Sequence, residues 1–209
     1  ADYWRAIELS MMRKAAISYY PSYVEINAIH AIDPEIKAKA ITAYVYDHFL
    51  TNIQEDFAKR EGLLFVGGFA HPPNADAVLW FAKDIYPRIR QKMEAAGQVP
   101  PEFIVVGSKV TDEIRALQQP DNGIIIKGFV SEEELSELYA TCRVVVVPLR
   151  YGAGVKGKVV EAIYNGAPIV TTSIGAEGIP QVEDVLLVED EPEAFAETVT
   201  RLYQSPEGC

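Results

Sequence analysis

The chain has 209 residues, 49% of them hydrophobic and 23% charged, a globular make-up with enough length for one large domain or one domain plus a fragment. Its net charge of −11 argues against a nucleic-acid partner, whose phosphate backbone needs a basic surface, while leaving room for a small phosphorylated ligand held by local lysines. Two cysteines, Cys142 and Cys209, do not make a disulfide framework or a metal cluster, and no apolar run is long enough to span a bilayer.

Residues 2–14 read as an amphipathic helix, with Trp4, Ile7, Met11 and Ala15 at helical intervals. AAISYY is a short strand, Pro21 opens a second helix over PSYVEINAIHAI, and AKAITAYVY is another candidate strand. Residues 47–61 are polar and read as a linker or short helix. Two strands cannot bury both of their faces, so residues 1–61 are expected to be the tail of a larger α/β unit.

From Gly62 the pattern is regular. LLFVGG is a buried-type strand, HPPN a turn with Asn74 as N-cap, and residues 75–97 a helix divided by Pro87 and stopped by Gly97. EFIVVG, NGIIIKGFV, RVVVVP, APIVTT and VLLVED are further strands. They alternate with the helices TDEIRALQ, SEEELSELYATC (capping box Ser131 and Glu134), KGKVVEAIYNG and EPEAFAETVTRLYQS. Continuously apolar strands alternating with helices predict a Rossmann-like doubly wound parallel sheet of about six strands over residues 62–209, preceded by a fragment of a second α/β domain.

Ligands in such sheets bind beyond the carboxyl ends of the strands, where Gly67, Gly68, Gly107, Gly128, Gly152 and Gly154 fall. The turn with Gly152 and Gly154 leads from a strand into a helix N-terminus. There, free N–H groups and the helix dipole favour an anion, and Lys156 and Lys158 add positive charge. Glu161 lies one turn beyond Lys158. A pyrophosphate at the turn and a sugar diol one turn deeper would satisfy all three side chains. His30, His48 and His71 lack metal-ligand spacing, there is no G-x-S-x-G elbow, and VGGFAHPP replaces the dinucleotide fingerprint after the first strand. A tight turn with solvated lysines is the plainer account of Gly152 to Glu161, and the residues alone leave both open.

GVKGKVVEAIYNGAPIVTTSIGAEGI resembles the donor-binding segment of family 4 (group 1) glycosyltransferases of the GT-B fold. LLFVGG, FIVVG, IIIKGFVSEEELSELYATCRVVVVP and the closing helix follow in the family's order, over roughly residues 62–203. The resemblance implies a retaining transfer of sugar from a nucleotide-sugar donor to an acceptor that the sequence does not identify, be it glycan, lipid-linked sugar or protein. It implies cytoplasmic action, in solution or at the inner face of the membrane, with no metal or other cofactor. Residues 1–61 would be the tail of the acceptor-binding domain, whose amino-terminal remainder would be a missing partner of the same chain.

By the same resemblance Glu161 receives the ribose hydroxyls, and Lys156 and Lys158 lie near the diphosphate. Gly152 and Gly154 let the backbone approach it, and Gly128, Phe129 and Val130 meet the base. Gly68 lies in the phosphate-side loop after the first strand. Two departures stand out. Ala153 occupies the position of the family's second glutamate, and GGFAHPPN lacks its Arg and Lys. The diphosphate charge is then expected to rest on Lys156, Lys158 and Arg150, with His71 or Asn74 contributing. The competing expectations are a non-catalytic nucleotide-binding module and a sugar-nucleotide epimerase. The epimerase would need carboxylates and a histidine facing the cleft, a set not visible here.

Overall fold

The computed structural model describes residues 2–41, 44–46 and 57–205; His48, Cys209 and most of the expected linker lie outside the described residues. Helix α1 (Asp2–Lys14), strand β1 (Ser18–Tyr20), helix α2 (Tyr23–Ile32) and strand β2 (Ala38–Ala40) form the opening layer. The two strands are shorter than expected but pair in parallel as a sheet of their own. Its small core is Met12, Ile29 and Ile36, with Leu9 and Tyr20 against it. This corrects the expected face of α1: Trp4 and Met11 are exposed, because Met12 and Leu9 are the residues that meet α2 and the strands.

The main sheet follows a 3₁₀ turn at Phe57–Lys59. It contains β3 (Leu63–Val66), β4 (Phe103–Val106), β5 (Ile124–Gly128), β6 (Val144–Val147), β7 (Ile169–Thr171) and the two-residue β8 (Leu187–Val188). All neighbouring pairs are parallel and the order is β5-β4-β3-β6-β7-β8, the doubly wound order with its switch point between β3 and β6. Every residue of β6 is buried, as expected of a strand covered on both faces.

The pairing register opens the switch point. β3 pairs with β4 over all four of its residues, but with β6 only at Leu63↔Val144 and Leu64↔Val145. Beyond Leu64 the two strands part toward their carboxyl ends and leave a crevice between them.

The long helix after β3 begins earlier than expected, and HPPN is not a free turn. α3 (Pro72–Trp80) has His71 at its N-cap and two prolines in its first turn, so Asn74 lies inside the helix rather than capping it. The division comes just before Pro87, as a wide π-helical turn at Phe81–Ile85, followed by α4 (Tyr86–Ala95). Pro87 has no N–H, and its ring crowds the preceding turn. The wide turn lets Phe81 and Tyr86 share an inward face: Phe81 lies 4.5 Å from the Phe103 ring and Tyr86 5.8 Å from it. The Tyr86 hydroxyl donates to the Pro101 carbonyl at 2.8 Å and the Gly123 carbonyl at 3.1 Å, tying the helix to the entries of β4 and β5.

α5 (Asp112–Arg115) is capped by Thr111, and α6 (Glu132–Thr141) by Ser131, whose hydroxyl accepts from the Glu134 N–H at 3.2 Å. The reciprocal half of the expected capping box is absent among the described bonds: the Glu134 carboxylate accepts from Lys127 at 2.7 Å instead. α7 (Gly157–Tyr164) follows β6. The short α8 (Ser173–Ala176) and α9 (Val182–Val185), unforeseen in the sequence, fill the run before β8, and α10 (Pro192–Gln204) closes the fold.

Candidate functional site: the carboxyl ends of β3 and β6

The crevice holds an ammonium group. Lys158, in the first turn of α7, donates through Nζ to the Asn74 Oδ1 and sits 4.7 Å over the Phe65 ring. Asn74 in turn donates to the Gly68 carbonyl at 2.8 Å, which fixes its amide. Gly67 leaves room for the close approach: a Cβ there would lie 2.8 Å from the Lys158 Nζ and displace it. Burial, and next the neighbouring Lys156, push the Lys158 amine down to about 8. Among the described residues no carboxylate pairs with it. The site thus holds a costly positive charge without an internal counter-ion.

Backbone donors lie beside it. The Val159 and Val160 N–H groups already bond the Lys156 carbonyl at 2.9 and 3.3 Å, so the donors left in the first turn of α7 are those of Gly157 and Lys158. α3 cannot supply the same. Pro72 and Pro73 have no N–H, and the Asn74 N–H is taken by the His71 carbonyl at 3.0 Å. An anion at this switch point is therefore held from the α7 side. The approach is shaped by Gly152 at φ 128° and Gly154 at φ 76°, a left-handed backbone that favours glycine.

A cavity of about 210 Å³ joins these parts. Lys156, Lys158, Asn74, Gly152, Ala153, Gly157 and the exposed His71 are among its walls, and no Asp or Glu of the described residues lines it. In a chain of net charge −11 this is a locally basic pocket. Val155 also lines a larger apolar hollow of about 620 Å³ against the opening layer, walled by Tyr23, Val24, Ile41, Tyr44, Val160 and Ile179 and, among the described residues, by no charged side chain. Another hollow, about 770 Å³ along α10, mixes Lys92 and Arg201 with Glu189 and Glu197, so its charges cancel locally.

The expected cations differ in what they are free to do. Arg150 is committed elsewhere: its guanidinium makes a two-pronged pair with Asp76 on α3, at 2.9 Å through Nε, and lies over the Trp80 ring at 5.3 Å. This corrects its place in the expected set. Lys156, the N-cap of α7, donates to the Gly154 carbonyl and pairs with Glu177 at 3.2 Å, with a tenth of its side chain exposed. It lines the cavity but its charge is shared.

Glu161 lies one helical turn beyond Lys158. It does not line the small cavity. Its carboxylate is half-buried and accepts a hydrogen bond from the Tyr139 hydroxyl at 3.4 Å. Burial raises its carboxyl pKa, and the tyrosine bond opposes that rise. Gly128, Phe129 and Val130 stand at the end of β5, two strands from β3. Gly128 is left-handed at φ 74°, Phe129 is 83% exposed, and Val130 packs partly on the core. From β6 to β5 the strand ends span about 14 Å. The loops between are tied together: the Gly107 N–H donates to the Gly128 carbonyl at 2.8 Å, and the Gly67 N–H to the Val106 carbonyl at 2.9 Å.

Sequence reasoning missed Tyr139, Asp76 and Glu177. Tyr139 falls on the apolar stripe of α6, where it reads as core. Asp76 and Glu177 meet their lysine or arginine across 74 and 21 residues, so no local spacing marks them. No group of three or more His, Cys, Asp or Glu among the described residues could hold a metal ion, and none of the described helices is long and apolar enough to cross a membrane.

Comparison with known proteins agrees with this architecture. Over 123 residues the chain is 30% identical to an uncharacterized 44.6 kDa protein of the cps region of Klebsiella pneumoniae, covering 56% of this chain and 30% of that protein. TarM superposes with a TM-score of 0.69 at 14% identity, over 95% of this chain and 39% of TarM. A UDP-forming α,α-trehalose-phosphate synthase from Burkholderia xenovorans gives 0.68 at 12% identity, over 95% and 55%. Anabaena HepE, solved in complex with UDP and glucose, gives 0.63 at 18% identity, over 96% and 57%. The chain thus spans between about a third and somewhat over half of the length of these relatives. Residues 60–205 match the profile of Glycosyl transferases group 1, and with the strand order and the basic crevice described above, the chain belongs to that family.

Proposed function

We propose that this chain is the donor-binding part of a retaining group 1 glycosyltransferase, taking a nucleoside diphosphate sugar. The observation that carries the reading is Lys158, which among the described residues has no counter-ion in the switch-point crevice, lies beside two unbonded N–H groups of α7 and lines a pocket with no Asp or Glu in its wall. A diphosphate would supply the missing charge. As the bond from sugar to phosphate breaks, negative charge grows on the leaving phosphate, and a cation already held in place stabilises it. The UDP in the HepE structure and the UDP-forming synthases among the structural neighbours support this ligand class. The protein supplies the cation itself, so the reaction is read as metal-independent.

In this reading Glu161 accepts the ribose hydroxyls, Lys156 and Lys158 meet the phosphates, and Gly152, Gly154 and Gly68 shape their approach. The base lies toward Gly128, Phe129 and Val130. Residues 62–209 form the donor domain, and residues 1–61 are the tail of an acceptor-binding domain whose remainder precedes them in a longer cytoplasmic protein. The apolar hollow beside Val155 faces the acceptor side. Calorimetric titration with UDP, GDP and their sugars tests the reading. Binding should be unchanged by EDTA, and Glu161→Ala should lose on the order of 1.5–3 kcal/mol, roughly ten- to 150-fold. Absence of binding by all four would overturn it.

Ala153 and the Arg150–Asp76 pair favour a second reading, a nucleotide-binding module without transfer activity, since the first leaves the sugar end without its carboxylate and the second draws a cation away from the diphosphate. Hydrolysis or transfer of a bound nucleotide sugar by the full-length protein would exclude it.

A further inference from the structure

We propose that Tyr139 is a positioning residue for Glu161: its hydroxyl holds one carboxylate oxygen so that the other faces the ligand. The inference rests on the donor-binding reading of Glu161 and adds a residue to it. Tyr139 is 1% exposed and belongs to the main core, where a phenylalanine would pack as well. A buried phenol needs a partner for its O–H. Among the described residues the partner is Glu161, at 3.4 Å. The pairing is reciprocal. Among the described residues no cation pairs with Glu161, and no other side chain donates to it.

The setting explains what the bond achieves. Glu161 lies on α7 next to the buried Ala162, and a long glutamate side chain has several staggered rotamers in principle. A rotamer turned to solvent would leave the carboxylate hydrated and of no use to a ligand. Tyr139, fixed in the core at the end of α6, selects one rotamer. Among the described residues the other titratable groups nearby are Tyr46, which stacks on Tyr164 at 3.8 Å between ring centroids, Tyr164 itself, Tyr44, Cys142 and, one turn back, Lys158. Burial, and next the Glu161 charge, raise the Tyr46 hydroxyl above its ordinary range, and both act in the same direction on Tyr139. The Tyr46 and Tyr139 hydroxyls therefore stay protonated over the pH range of the test, so Tyr139 remains a donor to the carboxylate.

The test is Tyr139→Phe, alone and in a Glu161→Gln background, read by UDP titration from pH 5 to 8. Carbon-13 carboxyl NMR of the ligand-free protein is run alongside, with the Glu161 signal assigned from Glu161→Gln. Loss of the hydrogen bond removes the influence that opposes burial, so the carboxyl titrates at a higher pH. Binding by the ionised carboxylate is then lost earlier as pH falls. The expected result is a three- to tenfold weaker affinity, roughly, at pH 7.5, a larger loss at pH 6, and no further effect in the Glu161→Gln background. A merely structural tyrosine would weaken both backgrounds equally and leave the pH profile in place, which overturns the proposal. If UDP binds and Tyr139→Phe changes neither the profile nor the Glu161 titration, the positioning role fails while the donor reading survives. If the Glu161 titration moves but the wild type binds no nucleotide, the hydrogen bond stands and the donor reading is what fails.

Discussion

Lys158 on α7 and Asn74 on α3 meet by a hydrogen bond across the gap where β3 and β6 separate, 84 residues apart in the chain. The lysine is partly buried with a neutral partner, so its charge works against folding in the absence of an anion.

This makes Lys158 a residue whose removal should stabilise the protein. Its folded value of about 8 lies below its ordinary 10.5, so between these values the unfolded chain binds more protons. Stability therefore rises as pH climbs from about 8 to 10.5, and below 8 the full cost of the buried cation is present. Lys158→Met is expected to gain on the order of 1–3 kcal/mol at pH 7 in urea unfolding, with the advantage shrinking above pH 8. The same variant should bind UDP roughly ten- to 150-fold more weakly. Wild-type affinity should decline above pH 8 as the amine loses its proton. A variant less stable than wild type at pH 7 would contradict this account.

Glu177 competes for Lys156. The pair is 3.2 Å apart, with the carboxylate side chain 24% exposed, and Lys156 lines the basic cavity. Glu177→Gln keeps the shape and removes the competing charge. UDP should then bind about two- to fivefold more tightly, with the gain fading in high salt, as calorimetry at two ionic strengths would show.

Gly107 and Gly97 offer a matched pair of substitutions. A Cβ on Gly107 would lie 1.9 Å from the Gly67 carbonyl oxygen, backbone against backbone, at the point that sets the loop beneath Lys158. Gly97 has φ 70° and open space around it. Gly107→Ala should therefore cost about 3 kcal/mol or more and weaken nucleotide binding. Gly97→Ala should cost only the roughly 1–2 kcal/mol of a left-handed alanine and leave binding alone. Thermal unfolding with and without UDP separates the two.

Much of this architecture was legible because its signals are local. Four consecutive valines between Arg143 and Pro148 can only be comfortable inside, and they form the fully buried β6. Gly166 ends α7 at φ 62°, as a helix-stopping glycine should. The misreadings share one cause, contacts made at long range. Met11 and Met12 are equally apolar, and only the arrival of Ile29 and Ile36 decides that Met12 turns inward. Arg150 looks available to a phosphate until α3 brings Asp76 beside it. Asn74 reads as a cap by type, whereas His71 holds that place and the asparagine serves as Lys158's neutral partner.

The wide turn at Phe81–Ile85 acts as a phase shift. One surplus residue rotates everything after it by about 100° relative to an uninterrupted α-helix, which is what brings Tyr86 around to its two carbonyl partners. Straightening it into plain α-helix with every residue kept would turn Tyr86 about 100° away from its two carbonyls, whereas deleting one residue of the turn would leave a regular helix with Tyr86 still on its inward face.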